Sequence, residues 1–233
     1  MKKLIFLLVL IVVIAQVAAH AATFTTPPPP PLPLMIAPPS PGANRLAFFE
    51  SIENADLPRL LVFIQQGAHH ALRNDEGEPP LFVAAEKGSM EVLRALIDGR
   101  SDPRQRTRNG ETALHAAALF GDPAQVQALL DAGTEINAVN LNGETPLAWA
   151  AMTGTLQVVE LLLRAGALPE SPDEHGNTPL HGAAKAGNAE VVKALLTRVA
   201  RPLTRNREGH TARDLAVERD QVEVVRLLPQ ARP

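Results

Sequence analysis

The sequence predicts an all-α solenoid of stacked helix–turn–helix units joined by β-turn or hairpin loops, preceded by a signal peptide and a Pro-rich linker. Three observations carry the solenoid. Gly77, Gly110, Gly143, Gly176 and Gly209 follow one another at intervals of 33 residues. After each comes a short apolar segment, opened by Pro79-Pro80-Leu81-Phe82, Thr112-Ala113-Leu114-His115, Thr145-Pro146-Leu147-Ala148, Thr178-Pro179-Leu180-His181 or Thr211-Ala212-Arg213-Asp214. A second apolar block then recurs, as in Val158-Val159 with Leu162-Leu163 and Val191-Val192 with Leu195-Leu196. A repeat of this length marks units that cannot bury their own apolar faces and must stack to do so.

The chain opens with an address. Lys2 and Lys3 precede an unbroken apolar run from Leu4 to Ala15, and Ala19-His20-Ala21 offers the small-x-small pattern of a cleavage site. Residues 1–21 therefore read as a signal peptide cleaved after Ala21. The run falls short of the ~20 residues that span hydrocarbon as a helix. Left uncleaved, it would make the protein a membrane-tethered scaffold, which is the alternative reading. Residues 22–45 form a Pro-rich linker, because prolines cannot donate to helix or sheet and lean to extended polyproline II. Such a stretch serves as a semi-rigid tether.

Residues 46–230 form the folded region. Segment 46–73 keeps only the second half of the pattern (Ala55-Asp56-Leu57, Phe63-Ile64, Gly67-Ala68) and reads as a degenerate N-terminal cap. Full repeats span 74–106, 107–139, 140–172 and 173–205, and 206–230 closes the stack. In this last unit Arg213 and Asp220 replace an apolar residue and a glycine, on a face expected to meet water.

Each unit is explicable locally. The first glycine supplies a positive φ in a tight turn. Thr caps the first helix and Pro occupies its first turn, where a missing N–H is harmless. A second glycine (Gly88, Gly121, Gly154 or Gly187) ends that helix in a left-handed cap. The second helix carries apolar residues at i, i+1, i+4 and i+5, a stripe broad enough to need a neighbour. Gly133 and Gly166 then end two of the second helices, but Arg100 and Val199 stand in the equivalent places. Gly99 is expected to end its helix one residue early, and the segment after 198 to carry a longer helix.

These residues closely resemble the ankyrin repeat, whose 33-residue unit carries a Thr-Pro-Leu-His-x-Ala core. The resemblance implies that His115 and His181 hydrogen-bond within and between loops, and that turns with Phe82 or Ala148 in that place lack those bonds. It places Trp149 in the core. It also implies a protein partner lying across the concave face of turn tips and first helices. On that face the middle units offer Phe120, Leu119, Leu141 and Met152, an apolar centre with Phe120 as anchor. Arg108, Asn109, Glu111, Asn142, Glu144, His175, Asn177 and Lys185 form the polar rim. Small exported bacterial relatives of this type can be immunity proteins masking a toxic effector, or accessories to periplasmic peroxide defence.

Other functions find little support. Without cysteine there is no disulfide, thiolate nucleophile or Cys-ligated metal. A formal charge of −3, with 22 basic against 25 acidic residues, is a poor footprint for binding nucleic acid. No GxSxG elbow, GxGxxG or GxxxxGK cradle, or HExxH zinc pair occurs. The expectation is a protein without cofactor, metal or catalytic residues. A cysteine-free exported chain suits an oxidising periplasm.

Overall fold

The computed structural model describes residues 41–67, 71–87, 89–120 and 122–230. The signal peptide, the linker as far as residue 40, His69-His70, Gly88 and Gly121 lie outside the described residues. The repeats lie within one compact unit, Ser40–Pro233.

Six helix pairs make up the described residues: α1 (Pro41–Glu53) with α2 (Leu57–Gln65), α3 (Pro80–Lys87) with α4 (Met90–Asp98), and α5 (Ala113–Phe120) with α6 (Pro123–Asp131). Then come α7 (Pro146–Thr153) with α8 (Leu156–Arg164), α9 (Pro179–Ala186) with α10 (Ala189–Leu196), and α11 (Ala212–Glu218) with α12 (Val222–Leu227). First helices pack on first helices and second on second along the stack. Among the described residues, extended pairing is confined to the isolated bridges Arg106–Thr112 and Arg205–Thr211 at hairpin stems. Helix α1 begins at Pro41, inside the stretch expected to be linker.

Stacking buries the apolar stripes in registered rows. Leu81, Leu114, Leu147 and Leu180 form one row, and Leu96, Leu129, Leu162 and Leu195 another, all fully or almost fully buried. Each such leucine contributes about 1.5–3 kcal/mol relative to exposure, so the rows hold neighbouring units together. At the N-terminal end Phe48 meets Phe49 and Phe63 edge-on, at centroid distances of 5.3 and 5.7 Å.

Two expectations about helix ends are corrected. Helix α4 is not shortened, and Gly99 keeps a helical φ of −71°. Arg100 instead takes the left-handed φ of 63° that Gly133 (86°) and Gly166 (96°) adopt in their repeats. The Ser101 amide then reaches back to the Leu96 carbonyl at 2.9 Å, as the Ala167 amide does to Leu162. The stack sets the loop geometry strongly enough to impose it on a non-glycine. Nor is the helix before residue 198 longer: α10 ends at Leu196, and the Val199 amide bonds the Leu195 carbonyl at 3.0 Å. A β-branched residue resists the left-handed region, and this loop takes another course. In the last unit Asp220 occupies the second glycine's place with φ 57°. Arg213 is half-buried rather than in open water, its Nε enclosed without a partner.

Candidate functional site

The hairpin tips are fixed by one device in all five units. Asn74, Thr107, Asn140, Asp173 and Asn206 each accept, on a side-chain oxygen, the amides two and four residues ahead. For Asn140 these come from Asn142 at 3.0 Å and Glu144 at 2.9 Å; for Asp173, from His175 at 2.8 Å and Asn177 at 2.7 Å. The other three follow suit. Short polar side chains that bond their own downstream backbone are the usual means of holding a turn. Successive tips are joined by the amides of Leu141, Glu174 and Arg207 donating to the carbonyls of Asn109, Asn142 and His175, each at 2.8 Å.

His115 and His181 tie first helices to the next hairpin. Nδ1 of His115 accepts from the Thr112 amide (3.1 Å) and hydroxyl (2.9 Å), which places the ring proton on Nε2, where it is donated to the Glu144 carbonyl at 3.1 Å. His181 repeats this with Thr178 and the carbonyl of His210. Burial pushes the His115 imidazole down to about 4 and lowers that of His181, because a charged ring would lose its hydration. In the last unit Asp214 takes the histidine's place. Its carboxylate accepts from the Thr211 amide and hydroxyl, both at 2.8 Å, and these bonds hold it below the usual carboxylate range.

Trp149 departs from the expected core position. It is half-buried, stands edge-on to His115 at 5.3 Å, and donates its indole N–H to the Glu144 carboxylate at 3.0 Å. The smaller Ala116, one repeat earlier, is buried in that place. One repeat later the residue is Gly182. A Cβ there would lie 2.9 Å from Cγ of Met152. Where the tryptophan has no successor, a groove of about 330 Å³ opens between the tips and helices α7, α9 and α11.

The groove brings together five expected site residues, Glu144, Met152, His175, Asn177 and Lys185. It adds Ala148, Asp173, His181, Gly182, Glu208 and Leu215, which sequence reasoning did not select. Phe120 (56% exposed), Leu119 (half-buried) and Leu141 (67% exposed) do not line it. Leu141 sits at a tip and Phe120 at the far end of α5, so an eight-residue helix, about 12 Å by its rise per residue, lies between those positions. The apolar centre is therefore spread along the face. Arg108 faces a different groove, beside Arg45, Arg73 and Arg106. Asn109 and Asn142 remain at the tips, while Glu111 accepts from the Thr107 hydroxyl at 2.9 Å.

Most polar groups in the Met152 groove already have partners. The Asp173 carboxylate is taken up by the turn amides and by Asn177 Nδ2, Glu144 by Asn140 and Trp149, and both His181 nitrogens by Thr178 and His210. Lys185 is exposed and forms no ion pair among the described residues. Such a lining can recognise shape and charge. Among the described residues no group of acids and histidines is arranged to hold a metal, and no helix is long and apolar enough to cross a membrane.

Comparison with protein families finds three copies of a model described as ankyrin repeats, matching residues 48–140, 117–206 and 168–232. No match was found among curated proteins.

Proposed function

The chain belongs to the ankyrin-repeat family, and from that premise we propose that it is an exported, non-catalytic module that holds a protein partner across its concave face. Ankyrin repeats are generally protein–protein interaction modules, and the family is generally non-catalytic. The observation that carries this reading is the groove at Gly182. It sets the half-exposed Met152 thioether on the same surface as the unpaired Lys185 ammonium, where Asp173, Glu144 and His181 are already hydrogen-bonded. Phe120 and Leu141, exposed on neighbouring units, extend the contact along the stack. Apolar anchors framed by polar groups are the anatomy of an interface.

The test is quantitative capture from a periplasmic extract with wild type, Gly182→Trp and Phe120→Glu. Filling the groove with the residue that the preceding repeat tolerates should abolish capture of the principal partner, and Phe120→Glu should weaken it. A partner list unchanged by both variants would exclude the concave face. Export has its own check: a mature N-terminus at Ala22 supports it, whereas an intact N-terminus in the membrane fraction means a tethered scaffold. Immunity toward a secreted effector and support of peroxide defence both fit such a module. A neighbouring gene for a secreted lipase would favour the first, one for a catalase the second.

A further inference from the structure

The first two hairpins meet differently from the others. At Gly110, Gly143 and Gly176 an added Cβ would touch the backbone of the following hairpin, at 3.3, 3.1 and 3.0 Å, and there the tip-to-tip amide bonds run. At Gly77 it would meet the side chain of Arg108, with Nε at 2.5 Å. Among the described residues no backbone bond joins these two tips. A groove of about 440 Å³ occupies this junction, lined by Arg45, Arg73, Arg106 and Arg108 with Asn74 and Thr107.

The four cations are unequally matched. Arg45 pairs with Asp75 at 2.6 Å and Arg106 with Glu135 at 2.8 Å. Arg73 has only neutral partners: Nη1 donates to the carbonyls of Gly77 at 3.0 Å and Arg106 at 2.7 Å. Arg108 makes one long bond, from Nη2 to the Asp75 carbonyl at 3.5 Å. Neither has a carboxylate within ion-pair distance among the described residues. Two positive charges without a carboxylate partner thus line one groove, bonded to backbone carbonyls, in a chain of net charge −3.

We propose that this groove binds a doubly charged oxyanion of the phosphate type, through the guanidinium groups of Arg73 and Arg108. Planar guanidinium forks match such oxygens bidentately. The carbonyl bonds that fix Arg73 in advance reduce the ordering cost of binding. The charge also fits: a single carboxylate would leave one arginine unmatched, whereas a dianion satisfies both. Free phosphate and a phosphate monoester share this chemistry.

The test is an NMR titration of the full chain with inorganic phosphate and, separately, O-phosphoserine, against chloride at matched ionic strength. The Gly77 amide and the Arg73 and Arg108 Nε–H signals should shift saturably with at least one of the two, and not with chloride. Saturation by O-phosphoserine alone identifies an ester ligand, and by phosphate alone the free ion. Arg108→Gln, which leaves the Arg73 carbonyl bonds in place, should weaken binding about threefold, and Arg73→Gln with it about tenfold. Asp75→Asn, removing the competing carboxylate, should tighten binding, while Arg164→Gln on α8 should change nothing. Shifts equal to those with chloride, or an affinity unaltered by Arg108→Gln, would overturn the assignment.

Discussion

His115 and Glu144, twenty-nine residues apart, are joined by one hydrogen bond of 3.1 Å from imidazole Nε2 to the backbone carbonyl. That bond links a first helix to the following hairpin and would survive protonation, whereas the two bonds that Nδ1 accepts from Thr112 require a neutral ring. Protonating Nδ1 would turn an acceptor into a donor facing the Thr112 amide, itself only a donor.

Stability should therefore fall with acidification. The folded ring titrates at about 4 and the unfolded one near 6.5. Between those values the unfolded chain holds a proton that the folded chain does not, so stability rises with pH across the window and is lost as pH drops through it. The loss attributable to His115 is on the order of 3 kcal/mol, at 1.36 kcal/mol per unit, with His181 adding in the same direction. Urea unfolding at a series of pH values, compared with His115→Gln, measures it. The variant should be less stable at neutral pH and show a shallower slope; parallel curves would contradict the argument.

Gln125 is a local mismatch. It is fully buried, neither its Oε1 nor its Nε2 has a partner, and the same place in other units holds Val92, Val158, Val191 and Val224. An unsatisfied buried amide costs about 1–3 kcal/mol, so Gln125→Val should raise the unfolding free energy by a similar amount. Equilibrium denaturation reads this directly, and a destabilised variant would mean that the amide has a role in the stack.

Arg100 holds φ at 63° where two later repeats have Gly133 and Gly166. A left-handed conformation costs an L-residue about 1–2 kcal/mol. Arg100→Gly should accordingly raise the melting temperature, measurable by calorimetry, while the loop keeps its Ser101-to-Leu96 bond.

Position along the stack should matter more than residue type. Leu162 lies between two neighbouring units, whereas Leu228 sits in the last one. Leu162→Ala should cost ~2–5 kcal/mol and Leu228→Ala clearly less, since a terminal unit has one neighbour. Equal losses in chemical denaturation would contradict nearest-neighbour coupling.

The fold was legible because glycine spacing and leucine rows are written in residue identity. The roles of His115 and His181 were legible for the same reason. The hairpin staple was not: Asn74, Thr107, Asn140, Asp173 and Asn206 share a capacity to accept two amides, and no single letter marks that. Trp149 misled because its place holds buried Ala116 one repeat earlier, and an indole too large for that space leans out to a carboxylate. The Met152 groove depends on a side chain missing at Gly182, which shows only once Trp149 is known to fill the equivalent space. The arginine groove gathers residues 45, 73, 106 and 108 from three successive units, and their meeting shows only in the stacked hairpins.

The staple has a consequence for how such a surface can change. Each tip is shaped by its own first polar residue and its glycine, so the letters between them carry little architectural duty, Asp75 with its Arg45 partner and Arg108 over Gly77 excepted. Residues 76, 109, 141–142, 174–175 and 207–208 can be rewritten unit by unit while the scaffold stays as it is. The protein can thus acquire a new specificity by small, independent spelling changes.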